Sequence, residues 1–204
     1  MQSRDKPFPN GRRARIVALA SSTGGPRALQ ELLAALPSNF RVPILAVQHL
    51  AKGYVSHLVS ALAANCRMRV KLAEQREPLA SGTIYIAPDD CHLGVGDQHT
   101  IELSGEPPVE GFRPSATWLF SSVALHFGAD AVAVILSGMG RDGVAGLVEL
   151  RRAGGLVVAQ DEASSLVYGM PRAAAEANLA DFVLPLTAIA DQLIVLCLGL
   201  PIVD

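Results

Sequence analysis

The run Ala131–Leu136 (AVAVIL) is apolar throughout and stops at once on the polar, glycine-rich stretch Ser-Gly-Met-Gly-Arg-Asp-Gly at 137–143. So short a run falls far below the roughly 20 residues that a membrane span needs. Continuous rather than alternating, it reads as a strand buried on both faces, which requires covering layers on either side. The same pattern recurs along the chain. Ile16–Ala20 stops at Ser-Ser-Thr-Gly-Gly-Pro, Pro43–Val47 is closed by Gln48 and His49, and 83–87, 156–160 and 182–184 are further short strands. Between them apolar residues return at helical spacing. Leu29, Leu32, Leu33 and Leu36 follow the first strand, and Val55, Leu58, Val59 and Leu62 share one face of 54–64. Further helices are expected over 115–126, up to about 152, in a short piece ending by 178, and from Ala188 onward. Leu93–Leu103 reads as a hairpin turning at Gly96, Asp97 and Gln98, and 104–114 as a loop. The expected fold is α/β: an open, doubly wound, mostly parallel sheet with helices on both faces and an antiparallel hairpin.

Length and composition narrow the function classes. A chain of 204 residues suits one domain, and with 50% apolar and 18% charged residues it can bury a sizeable core. A formal charge of −2, from 17 basic and 19 acidic residues, argues against a nucleic-acid partner. Cys66, Cys91 and Cys197 are scattered, odd in number and form no CxxC pair. They suggest neither a zinc site nor a disulfide framework, and together with the lack of a secretion signal they point to the cytoplasm. Residues 1–14, with Pro7, Pro9 and several arginines, are expected to be a flexible leader.

In an open α/β sheet the chemistry gathers outside the carboxyl ends of the strands. Three of those ends carry reactive residue types: Ser21, Ser22 and Thr23 after the first strand, His49 after the second, and Asp142 past Leu136. A serine becomes a useful nucleophile when a histidine takes its proton and a carboxylate fixes the histidine tautomer. Each residue also has a plain reading. Ser22 could cap the following helix, His49 could be a satisfied half-buried histidine, and Asp142 could complement a helix dipole. Ser21 is a second hydroxyl, but in an extended strand it points to the opposite face. A rival reading starts from Gly138-Met139-Gly140-Arg141-Asp142-Gly143, which satisfies G-x-G-x-x-G between a strand and a helix and has Asp161 placed for a ribose. Against a dinucleotide, Asp142 would put a carboxylate in the pyrophosphate cradle.

Six motifs occur in order: Ala-Ser-Ser-Thr-Gly-Gly-Pro (20–26), Val-Gln-His-Leu (47–50), Tyr-Ile-Ala-Pro (85–88), Arg-Pro-Ser (113–115), Ser-Gly-Met-Gly-Arg-Asp-Gly (137–143) and Tyr-Gly-Met-Pro (168–171). In these the chain resembles the catalytic domain of the chemotaxis protein-glutamate methylesterases, the CheB family, from about Arg15 to Leu193. The resemblance implies a catalytic domain over 15–204 that hydrolyses glutamyl methyl esters on the cytoplasmic helices of chemoreceptors, releasing methanol. Deamidation of receptor glutamines is also implied. Ser22 would be the nucleophile, His49 the base and Asp142 its orienter, with Met139 N–H and the region of Thr23 supporting the oxyanion. No metal or organic cofactor is implied, and no membrane insertion. A catalytically idle receptor-binding module is the further alternative, and the intact Ser22, His49 and Asp142 argue against it. The chain departs from the family pattern at Ala20, Ser21, Ala51, Asp89, Cys91, Phe112 and Thr117. A receiver domain, usual at the N-terminal side in this family, is not expected within these 204 residues.

Overall fold

A computed structural model describes residues 11–199 of the chain. Seven strands form one fully parallel sheet: β1 (Ile16–Ser21), β2 (Ile44–Gln48), β3 (Arg69–Leu72), β4 (Thr83–Ile86), β7 (Ala131–Ile135), β8 (Leu156–Gln160) and β9 (Phe182–Leu184). Their order is β3-β4-β2-β1-β7-β8-β9. The remaining strands, β5 (His92–Gly96) and β6 (Thr100–Ser104), pair antiparallel as the separate hairpin. Among the described residues the α-helices are α1 (Gly25–Ala35), α2 (Val55–Asn65), α3 (Ala116–Phe127), α4 (Val144–Arg152), α5 (Met170–Glu176) and α6 (Leu186–Leu198).

The reason for continuous apolar runs is visible in the burial. Every residue of β1, β2, β7 and β8 is buried. Alternate side chains enter two separate cores. Val17, Leu19, Ile44, Val132 and Val134 pack with α1, α2 and α6, while Ile16, Ala18, Leu45, Ala133 and Ile135 pack with α3, α4, α5 and the hairpin. The open, doubly wound sheet with both faces covered is therefore the observed architecture.

Differences from the sequence reading are local. β3 was not anticipated, because Arg69 and Lys71 interrupt its apolar pattern. It lies at the sheet edge, where charged residues blunt further pairing, and Lys71 there pairs with Glu74 (2.7 Å) and Glu77 (2.9 Å). The final helix begins at Leu186, two residues earlier than expected, directly after Pro185. Most of the expected leader, residues 1–10, lies outside the described residues. By Ala14 the chain is already anchored: that residue is buried and donates its N–H to Leu196 O at 2.9 Å.

Strand β1 sits where the winding reverses, with β2 on one side and β7 on the other. The carboxyl ends of these strands form the crevice expected at such a switch point. The fold rests on the central strands. Leu19→Ala, at a position with no exposure, is expected to cost about 2–5 kcal/mol, read from the denaturant midpoint at unchanged m-value.

Candidate active site

At the switch point the register brings two of the singled-out residues to neighbouring strand ends. Ser21 pairs with Gln48, so Ser22 and His49 each leave the sheet one residue later. The side chain of Gln48 braces this junction. Its amide donates to Ser22 O (2.9 Å) and His49 O (2.8 Å), and its carbonyl accepts from Ser21 Oγ (2.6 Å). Ser21 is thus buried, its hydroxyl occupied by Gln48. Gly25 permits this packing, because a Cβ there would collide with the Gln48 amide. Ser22 does not cap α1: the N-cap is Gly24, and Ser22 contributes only its carbonyl, accepting from Gly25 N (2.8 Å).

The loop after β7 closes on the same point. Ser22 N donates to Ser137 O (3.0 Å), and a Cβ on Gly138 would lie 2.8 Å from Ser22 Cβ, so only glycine fits against the serine. Gly140 and Gly143 adopt left-handed conformations, φ 93° and 100°, which swing the loop around Asp142. Thr23 and Met139 follow Ser22 and Gly138 directly and are both exposed, and Thr23 O accepts from Ser137 Oγ (2.8 Å).

Asp142 is buried, at 1% exposure. It complements a helix dipole, but that of α3 rather than of α4, the helix it immediately precedes. Its carboxylate accepts from Ser115 Oγ (2.8 Å), Ala116 N (2.7 Å) and Thr117 N (3.0 Å), the first donors of α3. Thr117 Oγ1 in turn accepts from Gly143 N (2.9 Å), closing the loop onto the helix. His49 Nε2 lies 3.0 Å from Asp142 Oδ2. Burial opposes the charge on Asp142. The His49 contact, the two backbone N–H groups and the Ser115 hydroxyl outweigh that burial and hold the carboxyl below its usual range.

His49 is itself poorly tied. The approach to Asp142 is close but off the hydrogen-bond direction, and both ring nitrogens are buried without an aligned partner among the described residues. A parallel stack with Phe112 covers one ring face, with centroids 4.2 Å apart and planes 7° apart. The plain reading of His49 as a satisfied half-buried histidine does not hold.

Several supporting residues went unread in the sequence. Ser115, the N-cap of α3, accepts from Trp118 N and donates to Asp142. Fully buried His92 accepts Ser115 N–H at Nδ1 (3.3 Å), which leaves Nε2 to donate to Pro107 O (3.2 Å). The Arg-Pro-Ser motif was the available signal for Ser115. Asp161, needed for a ribose in the dinucleotide reading, accepts instead from Ser164 N and Oγ within its own turn. Among the described residues no cluster of His, Cys, Asp and Glu is placed to hold a metal ion. A hydroxyl and an imidazole at adjacent strand ends, with a buried carboxylate against the imidazole, can activate an oxygen nucleophile.

Comparison with known proteins decides the family, since the CheB methylesterase family model matches residues 17–193. The chain belongs to that family. A protein-glutamate methylesterase/protein-glutamine glutaminase of Myxococcus xanthus is 53% identical over 178 residues, covering 87% of this chain and 50% of the relative. A similarly named protein of Anaeromyxobacter dehalogenans is also 53% identical, over 91% of this chain and 54% of its own length. The crystal structure of the Thermotoga maritima CheB methylesterase catalytic domain superposes with a TM-score of 0.86 at 38% identity, covering 89% of this chain and 97% of that one. The chain spans about half the length of the curated relatives it matches. Among the described residues no helix is long and apolar enough to cross a membrane.

The depressed carboxyl of Asp142 carries a stability consequence. Its contacts contribute fully above the usual carboxylate value of 3.8 and are lost as pH falls through the lower folded value. Unfolding free energy in wild type is expected to drop at pH below that value by more than in Asp142→Asn, measured by denaturation across an acid series. At neutral pH Ser115→Ala is expected to cost about 2 kcal/mol, from the lost cap and the lost bond to a charged acceptor.

Proposed function

We propose that the chain is a serine esterase that hydrolyses glutamyl methyl esters on the cytoplasmic helices of chemoreceptors. The observation that carries this reading is the buried Asp142 carboxylate, held at the head of α3 and set 3.0 Å from His49 beside the Ser22 strand end. The names of the relatives supply the substrate class.

Ser22 Oγ attacks the ester carbonyl while His49 takes its proton. With Nε2 turned to Asp142, Nδ1 is the nitrogen left for that proton. Ser22 and His49 share no hydrogen bond in the free protein, and such contacts commonly tighten only when substrate binds. The imidazolium is stabilised by the Asp142 charge, which helix α3 keeps ionised. In this reading the developing oxyanion is taken by the N–H groups of Met139 and Thr23, neither of which is used in a backbone hydrogen bond among the described residues. One such donor typically contributes about 2.7–4 kcal/mol in the transition state.

The protonated His49 then gives its proton to the departing methoxide, and methanol leaves. Water enters, His49 takes one of its protons, the hydroxide attacks the acyl carbonyl, and His49 returns that proton to the departing Ser22 Oγ, leaving a glutamate side chain and the free serine. Glutamine deamidation follows the same steps with ammonia as the leaving group. The steps call on no group beyond the chain's own residues and water. A cytoplasmic location accords with the receptor surface being acted on.

The test is methanol release from methylated receptor membranes. Wild type is expected to release methanol, and Ser22→Ala to lose activity by roughly 10⁴- to 10⁶-fold with its melting temperature nearly unchanged. Full activity in Ser22→Ala overturns the mechanism. Ser22-independent silence of wild type on these membranes, with Ser22 still reactive toward a fluorophosphonate, overturns the substrate instead.

A further inference from the structure

His49 has to hold one orientation while its charge changes, yet hydrogen bonds alone do not fix its ring. We propose that Phe112 is a positioning residue for His49, holding the imidazole by its face and stabilising the imidazolium that forms at each proton transfer. The proposal rests on the role given above to His49.

The stack is nearly face to face, with centroids 4.2 Å apart and planes 7° apart. Among the described residues neither ring nitrogen has an aligned partner, and the contact with Asp142 touches one edge only. A ring held at one nitrogen can still swing about that contact. A flat side chain parallel to it removes the swing, because tilting either ring brings atoms into collision in a packed site. The face of an aromatic ring also attracts a cation through its quadrupole. That attraction is felt by the imidazolium and scarcely by neutral imidazole, so it lowers the barrier rather than strengthening substrate binding.

Phe112 is built in as firmly as this role requires. It exchanges two backbone hydrogen bonds with Val109 (3.1 and 2.9 Å) across a two-residue turn. Glu110 and Gly111 both take left-handed conformations there, φ 50° and 86°. The next residue, Arg113, is clamped by Asp90 Oδ1 (2.9 Å from Nε) and by the carbonyls of Gly105 (2.9 Å) and Glu106 (3.1 Å). Two residues further on, Ser115 grips Asp142. One short anchored segment thus lays Phe112 on the base and Ser115 on the carboxylate, and sets the two relative to each other.

The test compares Phe112→Leu with Phe112→Tyr. Leucine keeps an apolar cover of similar bulk and loses the flat face, whereas tyrosine keeps it. In the methanol assay Phe112→Leu is expected to lower kcat about tenfold, equivalent to about 1.4 kcal/mol, with KM within twofold of wild type. Phe112→Tyr is expected to restore the wild-type kcat. Labelling of Ser22 by a fluorophosphonate, which needs the base but no receptor, is expected to slow about tenfold in Phe112→Leu and not in Phe112→Tyr. The carbon-bound ring protons of His49 are expected to lose their upfield ring-current shift in Phe112→Leu alone, with melting temperatures of both variants near wild type. Wild-type kcat and labelling in Phe112→Leu, equal losses in both variants, or a loss confined to KM overturns the proposal. Labelling that follows the expected pattern in a protein that releases no methanol supports the role of Phe112 and contradicts only the substrate. A wild type that is not labelled at all overturns both.

Discussion

A carboxylate with 1% exposure keeps its charge only if the surrounding structure replaces the water it has lost, and the environment of Asp142 is organised to do so. The first donors of α3, the Ser115 hydroxyl and the edge of His49 together offset the cost of burial. This constraint explains features that look unrelated in the chain. The loop after β7 needs its glycines to turn Asp142 away from its own helix and towards α3. Helix α3 must be capped at Ser115, because a shift of one residue would take its first N–H groups off the carboxylate. His92 and the 105–113 loop hold that start in place.

The sheet supplies the other half of the arrangement. Parallel strands fixed in register place Ser22 and His49 at adjacent ends, and the Gln48 amide ties the two ends together through both of its polar atoms. The hydroxyl and the imidazole are therefore located by backbone pairing and a side-chain brace rather than by contacts with each other. That leaves Ser22 free to engage a substrate. In the proposed reaction the sheet positions the nucleophile and the base, and α3 positions the charge that steadies the base.

The central strands were legible in the sequence because burial on both faces forces unbroken apolar runs. β3 was not, because Arg69 and Lys71 belong to an edge that is only half covered. Ser22, His49 and Asp142 stood out as reactive types at strand ends, and the family resemblance assigned them roles. Which helix serves Asp142 could not be read, since the residue lies two positions before α4 and 26 beyond the α3 backbone that binds it. The same holds for Phe112: nothing in its local sequence says that a loop residue will lie parallel to a histidine at the end of β2. Contacts made by irregular segments across the sheet have no periodicity to betray them.

In the proposed reaction Ser22, His49 and Asp142 act as one unit. Methanol release from methylated receptor membranes, measured for Ser22→Ala alone and combined with His49→Ala and Asp142→Asn, shows whether they do. Residues that work only through one another show no further loss once the first is gone. The same residual rate is expected for the single and the triple variant. A triple variant slower by the product of the separate losses would contradict it, showing three independent contributions instead.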